Sequence, residues 1–110
     1  MAYEIEHEGD VTVVAVEGEL VVGNRRALKD AVLERLAEGD RKFLIDFSDT
    51  GYIDSSGLGV LVSLSKKIRE QEGDLRLAGL DEDLHTLFEL TKLDSLFRIA
   101  EDRGDALADF

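Results

Sequence analysis

The chain has no cysteine, so it can build neither a disulfide framework nor a thiolate site, and a reducing compartment suits it. It has no proline either, an absence that by itself excludes little. No stretch is apolar for long enough to cross a bilayer, and no charged-then-apolar leader is expected ahead of the fold. Basic residues are scarce: thirteen Lys and Arg stand against twenty-five Asp and Glu, a net charge of −12. That imbalance opposes binding to nucleic acid and to anionic membranes, and it favours partners with basic faces. At 110 residues, the chain is expected to be one domain spanning 1–110, with a buried core and a well-solvated surface.

Periodicity organises the rest. Tyr3 to Glu8 and the β-branched run Val11 to Val16, separated by Glu8-Gly9-Asp10, predict an antiparallel opening hairpin. Asn24 is placed to cap a helix running to about Glu38, with Ala27, Leu28, Ala31, Val32 and Leu36 at helical spacing and Gly39 as its stop. Lys42 to Phe47 is short and almost continuously apolar, which predicts a strand covered on both faces. A second helix follows over Leu58 to Glu70, burying Leu58, Leu61, Leu64, Ser65 and Ile68. Leu75 to Ala78 reads as a strand, Asp81 as the cap of a third helix, Leu96 to Ala100 as a last strand and Asp102 to Ala108 as a last helix. Short links between alternating strands and helices favour right-handed crossovers. The expected fold is therefore α/β, with a mostly parallel sheet of four to five strands packed by helices.

The most informative stretch is Asp54-Ser55-Ser56-Gly57-Leu58-Gly59, between the third strand and the second helix. It presents two adjacent hydroxyls near a helix N-terminus, where free amides and the helix dipole tolerate added phosphate. On residues alone, a helix cap with a glycine-rich turn explains the stretch as well as a site does. The two readings are compatible, because a capping hydroxyl near the surface is also open to a kinase, and phosphate there adds roughly −1.5 to −2 charges beside Asp54 and Asp49. Gly57 and Gly59 let the backbone turn and let another surface approach.

Other chemistries fit poorly. No Gly-Lys-Ser or Gly-Lys-Thr follows the glycines, so a phosphate-binding loop is not supported. A Gly-x-Ser-x-Gly elbow lacks its first glycine, and the possible bases, His7 and His85, read as exposed surface histidines. Asp81-Glu82-Asp83 is explained by helix capping and the dipole before any metal. Asp46, near the carboxyl end of a parallel strand, is equally a site residue or a partner for a neighbouring loop's backbone.

Three segments together resemble the STAS-domain family, in particular the bacterial anti-sigma factor antagonists: Gly18-Glu19-Leu20, Asp54 to Gly59, and Leu87-Phe88-Glu89-Leu90-Thr91-Lys92-Leu93. Element order agrees over nearly the whole chain. The resemblance implies a cytoplasmic, monomeric regulator that is not an enzyme and carries no cofactor or metal. Unphosphorylated, such a protein binds an anti-sigma factor serine kinase, which holds the ATP, and so frees a sigma factor. Phosphorylation inactivates it and a PP2C-type phosphatase restores it. Carried over, the acceptor is Ser55, with Ser56 the second choice. The partner-binding positions are Glu19, Val21, Asn24, Asp54, Ser56, Gly57, Leu58 and Gly59, with Leu58 and Gly59 on the partner-facing edge. Val21 departs from the family, which commonly has Asp there, so an acidic contact beside the phosphosite is lost. A second implied role is a STAS scaffold in a stress-sensing, transporter or lipid-transport assembly that touches no sigma factor.

Overall fold

A computed structural model describes residues 2–110. Strand β1 (Ala2–Glu8) turns through Gly9, at φ +64°, into β2 (Val11–Leu20), and the two pair antiparallel. Helix α1 (Arg25–Ala37), β3 (Lys42–Ile53), α2 (Ser55–Glu70), β4 (Asp74–Ala78) and α3 (Glu82–Leu90) come next. A 3-10 turn over Leu93–Ser95, strand β5 (Arg98–Ala100) and helix α4 (Arg103–Ala108) close the chain. The sheet has five strands in the order β1-β2-β3-β4-β5, all parallel beyond the opening hairpin. Because that order never reverses, crossovers of one hand place α1, α2 and α3 on the same face.

Alternation along the strands divides the core. Val14, Val16, Phe43, Ile45, Phe47, Leu75 and Leu77 face the three crossover helices and meet Leu28, Val32, Leu61, Leu64, Ile68, Leu84 and Phe88. Val11, Val13, Leu44 and Ala78 face the other way, under Ala106 and Leu107 of α4. Each fully buried Leu or Phe of this set contributes roughly 1.5–3 kcal/mol by leaving water. The apolar run at Lys42 to Phe47 is thus covered on both sides, as its composition predicts.

Five expectations need correction. Strand β2 does not stop at Val16 nor β3 at Phe47. They run on together to Leu20 and Ile53. Two register shifts accompany the extension, one between Ala15 and Glu17 and one between Gly18 and Glu19, each leaving an extra residue on β3. Such bulges bend a strand and re-aim the residues beyond the bend, and they let Ser48, Asp49 and Gly51, residue types that favour turns, lie inside a strand. Helix α2 starts at Ser55, three residues before Leu58, because Asp54 rather than a serine is its cap. Strand β5 is shorter than Leu96 to Ala100, because Leu96 ends the preceding 3-10 turn. Asn24 sits at the N-cap position of α1, but its side chain caps nothing there.

Candidate functional site

The extension of β2 and β3 delivers the Asp54 motif to the end of β2. The Asp54 amide donates to the Leu20 carbonyl at 3.1 Å, and from there the two chains part into helices. Asp54 then organises both. Its Oδ1 accepts the Ser56 hydroxyl at 2.6 Å and the Gly57 amide at 2.8 Å, which satisfies the first turn of α2. Its Oδ2 accepts the Val22 amide at 3.0 Å, across 32 residues of sequence, and clamps the loop before α1. These donors from Ser56, Gly57 and Val22 outweigh burial and hold the carboxyl below the ordinary aspartate value of 3.8.

Asn24 turns out to be a loop clasp. Its Oδ1 accepts the Val21 amide and its Nδ2 donates to the Glu19 carbonyl, both at 2.9 Å. Glu19, Val21 and Asn24 are therefore brought together, though through the Glu19 backbone and with its side chain exposed. Val21 is half-buried. The next residue, Val22, is the exposed one, at 66%. Tyr52, paired with Glu19 in the sheet, is 57% exposed.

The two serines differ. Ser56 spends its hydroxyl on Asp54, whereas the exposed Ser55 makes no side-chain hydrogen bond among the described residues. Gly57 is a packing necessity: a Cβ there would meet the Leu20 carbonyl oxygen at 2.5 Å and the Ile53 side chain at 2.9 Å. The surface that approaches it closely belongs to this chain. Leu58 corrects the expectation of a partner-facing edge. It is 8% exposed and packs in the core, because it lies on the sheet-facing side of α2. Gly59 does face outward, with open space where a side chain would go.

Ser55, Ser56, Gly59 and Ser63 form one wall of a groove of about 500 Å³, and Arg25, Arg26, Lys29 and Asp30 of α1 form the other. Reading the sequence as a capped helix missed these cations. The signal was present in Arg25-Arg26 at a helix start, where the dipole disfavours positive charge.

Asp46 resolves toward structure. Its Oδ1 accepts the Ser48 amide at 3.0 Å and the Ser48 hydroxyl at 2.6 Å, and its Oδ2 takes Arg103 Nε at 3.0 Å. Burial alone would raise its pKa, but the Ser48 donors and the Arg103 guanidinium together hold it below 3.8. His7 is exposed and bonds Asp40 at 3.0 Å, and His85 is exposed on α3. Asp81 caps α3 by accepting the Leu84 amide at 2.8 Å, with Glu82 and Asp83 in the first turn.

Comparison with known proteins agrees with this architecture. The STAS domain family matches residues 2–106. This chain belongs to the STAS-domain family. It is 35% identical over 95 residues to the anti-sigma-B factor antagonist of Bacillus subtilis, covering 86% of this chain and 85% of that one. The anti-sigma-B factor antagonist of Listeria monocytogenes is 31% identical over 100 residues, covering 91% and 88%. Among solved structures, a candidate anti-sigma factor antagonist of Thermotoga maritima superimposes with a TM-score of 0.92 at 28% identity, covering 97% of this STAS domain and 92% of that chain. No helix among the described residues is long and apolar enough to cross a membrane.

Proposed function

We propose that this STAS domain is an anti-sigma factor antagonist whose switch is phosphorylation of Ser55. Unmodified, it binds an anti-sigma factor that is also a serine kinase and so releases a sigma factor. The observation that carries the reading is the division of labour at the motif. Asp54 and Ser56 occupy each other, and Ser55 is left exposed with its hydroxyl unbonded among the described residues. The relatives named above as anti-sigma-B factor antagonists supply the class of partner.

On this reading the chain is a substrate rather than a catalyst. Ser55 Oγ attacks the γ-phosphorus of ATP held with Mg²⁺ on the kinase, and ADP leaves. A base on the kinase takes the hydroxyl proton, so all catalytic groups lie on the partner. The new charge sits beside Asp54, on the surface that also presents Val22 and Tyr52. Repulsion there lowers affinity for the same kinase, and a PP2C-type phosphatase reverses it. A coupling of about 1–3 kcal/mol, or about 5–150-fold, suffices for regulation.

The test is titration calorimetry of the cognate anti-sigma kinase against Ser55→Ala and Ser55→Asp, with mass spectrometry of the phosphorylated wild type. Ser55→Ala should bind like the unmodified protein and resist phosphorylation, and Ser55→Asp should bind at least about fivefold more weakly. Equal affinity of the two variants, or phosphate found on Ser56 alone, sinks the assignment.

A further inference from the structure

The groove beside Ser55 is electrostatically odd for this molecule. The chain carries almost twice as many acidic as basic residues, twenty-five against thirteen, yet Arg25, Arg26 and Lys29 converge on one wall. Arg25 and Arg26 occupy the opening positions of α1, a helix with no acidic residue in its first turn. Cations are disfavoured there by the helix dipole, so local helix stability does not account for them. Nor do ion pairs: none of the three forms one among the described residues. Two carboxylates oppose them nearby. Asp30 lines the same wall, and Asp54 precedes Ser55 with both oxygens already taken by donors from its own motif and loop. The facing wall carries Ser55, whose hydroxyl is the unengaged group of the motif.

We propose that Arg25, Arg26 and Lys29 form an intramolecular receptor for a phosphate on Ser55, so that the modified chain closes this groove upon itself. The inference rests on the reading of Ser55 as the phosphate acceptor and adds what the phosphate does once attached. A phosphoserine brings roughly −1.5 to −2 charges and three strong acceptor oxygens, with a second pKa of about 6. Guanidinium groups match such oxygens with paired donors, and lysine adds a point charge. The modification then acts twice. It adds charge at the α2 terminus, and it consumes a basic wall that flanks the motif and is unpaired among the described residues.

The experiment uses full-length protein with phosphoserine placed at position 55 by genetic code expansion, so that no kinase is needed. The phosphate is titrated by ³¹P NMR at fixed ionic strength, since salt screens such contacts. Three proteins are compared: wild type, Arg25→Gln/Arg26→Gln/Lys29→Gln, and the charge-matched Lys66→Gln/Lys67→Gln/Lys92→Gln, whose cations lie outside the groove. In the wild type the second phosphate pKa should fall at least about half a unit below its value in the urea-unfolded chain. The groove variant should lose most of that shift, and the control variant should keep it. No shift in the wild type, or an equal loss in both variants, overturns the receptor. Far-UV circular dichroism checks that each variant is folded. If the triple groove variant is not, Arg26→Gln alone must still reduce the shift, and no reduction overturns the proposal. An unshifted phosphate removes the receptor alone. Failure of the kinase to modify Ser55 removes the reading on which it rests, so the two failures are told apart.

Discussion

Asp46 and Asp54 are built alike and finish differently. Each begins an Asp-x-Ser triplet and accepts the hydroxyl of the serine two residues on at 2.6 Å. Each also accepts a nearby backbone amide, from Ser48 at 3.0 Å or Gly57 at 2.8 Å. Each has a glycine where a Cβ would collide at 2.5 Å: Gly79 against the Ser48 hydroxyl, Gly57 against the Leu20 carbonyl. They part at the second carboxylate oxygen. Asp46 is buried and receives Arg103 from 57 residues away, itself also paired with Glu6, so charge meets charge under α4. Asp54 receives a neutral amide, that of Val22, and pairs with no cation among the described residues. The same local motif thus becomes a brace in one place and a loop organiser in the other, beside an unengaged serine. What decides is the group that arrives from far along the chain.

The largest effect should come from crowding the brace. Gly79→Ala puts a Cβ into the Asp46–Ser48 pair and forces a non-glycine residue to φ +79°. It should cost about 2–4 kcal/mol in urea denaturation, and a loss below about 0.5 kcal/mol means that the pair yields freely.

Removing the cation comes next. Arg103→Met leaves Asp46 buried without its counter-ion, and should cost about 1–3 kcal/mol at pH 6. The lower half of that range allows for the guanidinium's 31% exposure. The pH dependence separates this from a packing effect. Asp46 has a folded pKa held below 3.8, so its contribution is present above that value and is lost as pH falls through the folded pKa. Without Arg103 the folded pKa lies closer to the unfolded one, and less remains to be lost on acidification. The stability gap between wild type and Arg103→Met should therefore narrow as pH drops from 6 toward 2.5. A constant gap would falsify the assignment of the loss to Asp46.

The smallest global effect, and the sharpest local one, belongs to Asp54→Ala. Its urea midpoint should move less than in either variant above. Amide exchange at Gly57 and Val22 should quicken by roughly tenfold, the consequence of losing charge-assisted acceptors at a helix start and loop. If the midpoint moves as far as in Arg103→Met, the two aspartates are both braces and the contrast collapses.

Much of the fold was legible because its signals are local. The β-branched run after Gly9, the continuous apolar run at Phe43 to Phe47 and the periodic leucines of α2 each specify an element from its own residues. The motif at Asp54 was legible as a capped helix start for the same reason, since a cap involves only neighbours in sequence, although Asp54 rather than a serine hydroxyl does the capping. The far halves of β2 and β3 were not. Ser48, Asp49 and Gly51 favour turns, and only pairing with Glu17, Gly18 and Glu19 holds them in a ladder with two bulges. Asn24 has the residue type and local position of a cap, while the actual demand on it comes from the Val21 amide and the Glu19 carbonyl of the loop.

By itself, then, the sequence determined the alternation of elements, the apolar centre of β3 and a serine pair at the start of a helix, all set by chemistry within a few residues. Tertiary structure alone decided which serine is left unengaged, that Leu58 is core, that Val22 is exposed and that three α1 cations face Ser55 across a groove. Those outcomes depend on contacts between residues some thirty positions apart, such as Val22 with Asp54. Backbone pairing and side-chain burial settle such contacts only once the sheet has brought its strand ends together.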